Sequence, residues 1–224
     1  MASGTSPPCS SVDPTRAIVF VDGNNWYHGL KNAGVHNIGD LNYRKISQKL
    51  CGPRIWCGLR YYVGKVENSG NTRLYSEQRA FVDRLRKSDP KISVHFGRLE
   101  PRNNENQLSL DLLNYVDTNA TTLGTIVSQS LRDLARTHLT TRYMVEKAVD
   151  VMLAVDLVTL AQSAQYDVAY ILSADGDYTH AVEFVRSLNK KVFVAHPSKG
   201  HQLCGVANTY VRTDQDWLRD CYSQ

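Results

Sequence analysis

Four aspartates sit where a carboxylate is costly unless something pairs with it. Asp22 closes the apolar run Ala17-Ile18-Val19-Phe20-Val21. Asp175 and Asp177 follow a second apolar run, in Ser173-Ala174-Asp175-Gly176-Asp177-Tyr178. Asp150 lies inside Lys147-Ala148-Val149-Asp150-Val151-Met152-Leu153. A carboxylate amid apolar surface must be paired or bound to a metal. Several carboxylates packed together repel one another, and their pKa values rise until a cation shares them. Oxygen-rich, sulfur-free clusters of this kind suit Mg²⁺ or Mn²⁺. The chemistry such a cluster supports is metal-assisted hydrolysis of a phosphodiester. Asp22, Asp150 and Asp175 are therefore the candidate metal ligands, with Asp177 beside them as a fourth candidate catalytic acid.

Each acid also has a plainer reading. Asp22 before Gly23 has the chemistry of a turn. Asp175 and Asp177 can cap the helix expected from Tyr178. Asp150 can be a solvent-facing residue of a mostly buried helix. Asp156, six residues further on, falls roughly 120° around that helix at ~100° per residue, so it is a structural acid rather than a partner of Asp150. The joint placement of the acids outweighs any one of them.

The elements that must position these residues follow from periodicity. Arg16 to Asp22 reads as a strand buried on both faces. Asp22-Gly23-Asn24-Asn25 reads as a turn leading into a helix over Trp26 to Asn32, although Asp-Gly also permits a hairpin. Helices are expected over Asn42 to Leu50 and Leu74 to Lys87, and strands over Leu59 to Val66 and Ile92 to Leu99. Tyr143 to Gln162 has the pattern of the longest helix. Tyr166 to Ser173 reads as a buried strand, Tyr178 to Asn189 as a helix and Lys191 to Ala195 as a strand. Tyr210 and Val211, then a short helix over Asp216 to Asp220, close the chain. Residues 103–141 are the least legible, with helical pattern around Leu108–Val116 and Ile126–Leu134, and are expected to be an insertion or lid. Alternating strands and helices imply an α/β class with a mostly parallel central sheet and helices on both faces. Ligand sites in such sheets lie beyond the carboxyl ends of the strands, where Asp22 and Asp175 fall.

With 224 residues, the chain suits one α/β domain with an elaboration. Residues 1–15 read as a disordered leader and 16–220 as one domain. The net charge of +4 permits a nucleic-acid partner without demanding one. Five cysteines at irregular spacing argue against a disulfide framework and for a reducing, cytoplasmic setting. No apolar run reaches the ~18 residues of a membrane span.

The acid-bearing segments match a known family. Ile18-Val19-Phe20-Val21-Asp22-Gly23-Asn24-Asn25 resembles the opening motif of NYN domains, members of the PIN-like nuclease superfamily. Lys147-Ala148-Val149-Asp150 is similar to their Lys-Gly-Val-Asp motif, with Ala148 for Gly. Ser173-Ala174-Asp175-Gly176-Asp177-Tyr178 is similar to their Ser-Gly-Asp-x-Asp-Phe segment, with Ala174 for Gly and Tyr178 for Phe. The match is nearest to the LabA-like bacterial branch. The resemblance implies a Rossmann-like PIN fold and Mg²⁺- or Mn²⁺-dependent ribonuclease activity on single-stranded or structured RNA. It places the acidic site on Asp22, Asp150, Asp175 and Asp177. It makes Asn25 an orienting residue for substrate or a metal-bound water. Lys147 and Ser173 are further candidate substrate contacts. Residues 103–141 have no family counterpart, which leaves room for a protein partner there, as for a homodimer.

Among other features, arginines and lysines from Arg54 to Arg102 interleave with Tyr61, Tyr62 and Tyr75. They suit a nucleic-acid backbone or an ordinary solvated face equally. His196, His201 and Cys204 have spacing a zinc site could use, but lack a fourth ligand. Competing with the ribonuclease reading are a catalytically weak nucleic-acid-binding or regulatory NYN module and a phosphatase-like hydrolase of small phosphoesters.

Overall fold

In a computed structural model, which describes residues 15–66 and 72–223, strands and helices alternate along most of the chain. In order they are β1 (Arg16–Asp22), α1 (Gly23–Asn32), α2 (Tyr43–Cys51), β2 (Ile55–Lys65), α3 (Thr72–Ser88) and β3 (Ile92–Glu105). Then come α4 (Gln107–Thr118), α5 (Ala120–Leu123), α6 (Thr125–Thr137), β4 (Thr140–Lys147) and α7 (Val149–Gln162). The last third holds β5 (Val168–Leu172), α8 (Thr179–Ser187), β6 (Lys191–His196), α9 (His201–Val206), β7 (Thr209–Arg212) and α10 (Gln215–Leu218). The expected leader lies almost wholly outside the described residues.

The described residues form two compact units, one of those up to Gly97 together with those from Ala148 on, and the other Arg98–Lys147. In the first, the sheet order is β3-β2-β1-β5-β6-β7. Neighbouring strands from β2 through β1, β5 and β6 to β7 pair in parallel. With the inserted β4 set aside, this is the order of a Rossmann sheet, whose direction of winding reverses between the first strand and the next half. Here that reversal lies between β1 and β5.

β1 is apolar throughout because both of its faces are covered. Ala17, Val19 and Val21 join a core with Trp26 and Leu30 of α1, Ile46 and Leu50 of α2, Leu85 of α3 and Leu218. Ile18 and Phe20 pack on the opposite face with Val149, Leu153 and Leu157 of α7 and Val182 and Val185 of α8. The period of two along a strand puts Asp22 on this second face.

In the second unit, β3 from Arg98 onward pairs antiparallel with β4, in register from Arg98↔Lys147 to Glu105↔Thr140. α4 and α6 lie between them in sequence and bury Ser109, Val116, Ser128 and Ala135. Asn106 caps α4 by accepting from the Leu108 N–H.

Two expectations change. The helix expected over Tyr143 to Gln162 is a strand up to Lys147 and a helix only from Val149. The break falls at Ala148, whose φ of 70° is left-handed. Lys147 therefore shares no helix face with Asp150. The expected separate turn after β1 is absent, because α1 starts at once from Gly23, and the expected strand–helix order, rather than a hairpin, holds. Gly23 is required there, since a Cβ would lie 2.8 Å from the Tyr62 carbonyl oxygen. No described helix is long and apolar enough to cross a membrane.

Candidate active site

Two of the three candidate metal ligands converge. Asp22 is the last residue of β1 and the N-cap of α1, its Oδ1 accepting the Asn25 N–H at 3.1 Å. A helix N-terminus favours a negative charge, and the cap fixes the carboxylate so that Oδ2 points into the second core face. There Oδ2 accepts from the Ser173 hydroxyl at 3.2 Å and lies 3.0 Å from the Tyr178 hydroxyl. The same hydroxyl lies 2.9 Å from Oδ1 of Asp150, in the first turn of α7. Tyr178 has a single hydroxyl proton, so it can donate to only one of the two carboxylates at a time.

Burial is unequal between them. Asp22 is 3% exposed, whereas Asp150 is open to solvent. Burial raises the Asp22 pKa above the ordinary carboxylate value, and the nearby Asp150 charge adds to the rise. The hydrogen bonds from Asn25, Tyr178 and Ser173 oppose it. Burial, followed by the two carboxylate charges, pushes the Tyr178 phenol far up, so it stays protonated.

Asp175 does not join the pair. Its Oδ1 accepts the Asp177 N–H at 3.0 Å, capping a turn of 3₁₀ helix at Gly176–Tyr178. Among the described residues no three His, Cys, Asp or Glu side chains are grouped to hold one ion. The expected Asp22–Asp150–Asp175 cluster is thus reduced to Asp22 and Asp150. One oxygen of Asp175 is engaged locally instead, by the Asp177 N–H of the Asp-Gly-Asp turn. Asp177 is exposed beside it.

The candidate substrate contacts are mostly occupied in holding the site together. The Ser173 hydroxyl is fully buried, donates to Asp22 and accepts from the Asp175 N–H. Oδ1 of Asn25 accepts the Ala174 N–H at 2.9 Å, fastening α1 to the loop after β5. Lys147 ends β4 in the other unit. His196, with its ring edge on Trp26, fits against α1 where Gly29 has no side chain, since a Cβ there would lie 2.1 Å from Nε2. Burial lowers its pKa, holding it neutral.

The site residue missed in the sequence is Tyr178. Its ring is fully buried and reads as core. Its only signal is a hydroxyl where the family motif has phenylalanine. Asp156, on the other hand, is engaged elsewhere as a structural acid. It accepts from the Tyr62 hydroxyl at 2.6 Å and from Nε and Nη2 of Arg60 at 3.1 and 2.9 Å.

The donor set fits a hard divalent cation. Magnesium commonly takes one or two carboxylates and completes its shell with water and substrate oxygens. Asp22 and Asp150 supply two such oxygens close to one point, one of them already deprived of water.

The family model for the NYN domain matches residues 16–214. The chain belongs to the NYN family. Its fold is accordingly that of the PIN-like nucleases, with the strand order of a Rossmann sheet. A crystal structure of a Vibrio parahaemolyticus protein of unknown function is similar to this NYN chain. The TM-score is 0.58 at 18% identity, over 93% of this chain and 98% of that one. At that identity the likeness concerns fold alone. No curated protein matches the chain.

Proposed function

We propose that this NYN domain is a Mg²⁺- or Mn²⁺-dependent nuclease acting on RNA, with Asp22 and Asp150 as the carboxylates that hold the ion. The observation that carries the proposal is the approach of Asp22 Oδ2 and Asp150 Oδ1 to one hydroxyl, at 3.0 and 2.9 Å. This meeting point lies at the carboxyl edge of the sheet, beside the β1–β5 reversal where ligands of such folds bind. A bound ion supplies an activated water and stabilises charge growing on phosphorus. Asp22, fixed by its cap, presents one oxygen in a set direction. Asp150, exposed at the start of α7, presents the other and leaves the solvent side open to substrate. Asn25 and Ser173 are positioning residues, and Asp175 acts through its backbone N–H on the Ser173 hydroxyl. The free thiols of Cys51, Cys57, Cys204 and Cys221 suit a reducing cytoplasmic setting.

A specific observation favours a second reading, in which the domain binds nucleic acid with little turnover. The Tyr178 hydroxyl lies within hydrogen-bond reach of both carboxylates and so satisfies part of the pair from within the fold. Incubating labelled single-stranded RNA with purified protein, with Mg²⁺ or Mn²⁺ and then with EDTA, separates the two. Divalent-dependent cleavage that disappears in Asp150→Asn supports the nuclease. Binding without cleavage at any metal supports the second reading.

A further inference from the structure

The carboxyl edge of the sheet carries two adjoining grooves as well as the acid pair. Gly23 and Asn24, the residues after Asp22, help line an open groove of about 440 Å³. That is within the ~300–1,000 Å³ of small-molecule sites. Its apolar lining includes Tyr27, Tyr61, Val63 and Phe81. The Tyr61 and Phe81 rings meet edge to face at 5.5 Å, and Tyr27 is 45% exposed. Glu77 and Arg84, the charged residues of the lining, are opposite in sign, so the groove has no net attraction for a phosphate. Its chemistry suits a flat, neutral, π-faced guest.

A second groove shares Val66 and Gln78 with the first and has the opposite character. Lys65, Arg79 and Arg86 line it with one acid, Asp83, and with the Tyr75 ring. All three cations are exposed. The other basic residues of this stretch are partly committed to the fold: Arg60 pairs with Asp156, Arg73 with Glu77, and Arg54 donates to the Tyr170 hydroxyl. Folding thus sorts a scattered basic sequence into one small cationic groove next to an aromatic one.

We propose that the two grooves form a track for single-stranded RNA. A nucleobase enters the aromatic groove beside Gly23, and the neighbouring phosphates run over Lys65, Arg79 and Arg86. The inference rests on the RNA reading of the acid pair and specifies its substrate as unpaired. A base can enter a groove only when splayed from its neighbours, which a duplex does not allow. Stacking on aromatic side chains is tolerant of sequence, so the track selects for strandedness more than for sequence.

The test is fluorescence anisotropy of a short labelled RNA in EDTA, with the wild type, Tyr27→Ala and the double variant Arg79→Gln/Arg86→Gln. All three residues are exposed, so folding is retained. Loss of a stacking platform weakens binding by about tenfold. The arginine pair lowers the slope of log affinity against log salt by about 1.4, at ~0.7 per phosphate of a single strand. An abasic nucleotide scanned along the RNA costs the wild type about tenfold at one position and costs Tyr27→Ala nothing there. Wild-type affinity in Tyr27→Ala, or equal binding of duplex and single strand, overturns the track. If these losses appear but the wild type never cleaves with Mn²⁺, the track stands and the nuclease reading falls. If cleavage is intact and neither variant changes affinity or KM, the track alone falls.

Discussion

Replacing Tyr178 by phenylalanine restores the residue of the family motif and removes only the hydroxyl between Asp22 and Asp150. A hydrogen bond to a charged group contributes ~1.5–3 kcal/mol, and here one proton serves two acceptors at 3.0 and 2.9 Å. Asp22 keeps its bonds from the Asn25 N–H and the Ser173 hydroxyl, and water can reach the pair from the exposed Asp150 side. The net loss in metal-free protein at pH 7 is therefore about 1–2 kcal/mol. At ~2–4 °C per kcal/mol for a chain of this size, Tm falls by roughly 2–8 °C. The pH dependence has a definite sign. Burial raises the folded pKa of Asp22, so the protonated carboxyl contributes stability in acid that is lost as pH rises through the folded value. In acid, protonation of Asp22 removes the charge that the phenol proton offsets, so the deficit of the variant shrinks there. Mn²⁺ does the same at neutral pH, since a cation neutralises the pair in place of the phenol proton. Thermal unfolding followed by circular dichroism, in EDTA and in Mn²⁺ across pH, measures all three effects. A variant as stable as the wild type in EDTA, or one whose deficit ignores both acid and Mn²⁺, would refute this reasoning.

Asp22→Asn relieves the repulsion of two carboxylates that are at most about 6 Å apart. It should stabilise metal-free protein by roughly 1–3 kcal/mol at neutral pH while abolishing stabilisation by Mn²⁺, both read from Tm. Asp156→Ala leaves the buried Tyr62 O–H without its acceptor and Arg60 without its ion-pair partner. It should cost ~1.5–3 kcal/mol in urea unfolding and leave Mn²⁺ affinity unchanged, which separates the two acids of α7. Ala148→Gly relaxes the left-handed residue before α7 and should raise stability by about 1 kcal/mol, again read from urea midpoints.

The parts of the fold legible in the sequence are those dictated by local pattern. β1 and β5 are unbroken apolar runs because each is covered on both faces. α4 and α6 announce themselves within a stretch that otherwise reads as loop. β4 was not legible, because Val145, Val149 and Met152 continue a helical spacing across the break at Ala148. Only pairing with the distant β3 makes Thr140–Lys147 a strand, and alanine, unlike glycine, gives no warning of a left-handed turn. In the site, the joint placement of Asp22 and Asp150 was legible from motif order. The role of Tyr178 was not, since a buried aromatic ring reads as core whatever its hydroxyl touches. The capping use of Asp175 was visible as a local Asp-Gly-Asp alternative, and folding chose it.

The most direct test of the central claim is Mn²⁺ binding, followed by electron paramagnetic resonance, in the wild type, Asp22→Asn and Asp150→Asn. The account predicts that the wild type takes up Mn²⁺ and that either single substitution weakens uptake at least tenfold while the fold persists. Wild-type Mn²⁺ affinity in both variants would contradict it.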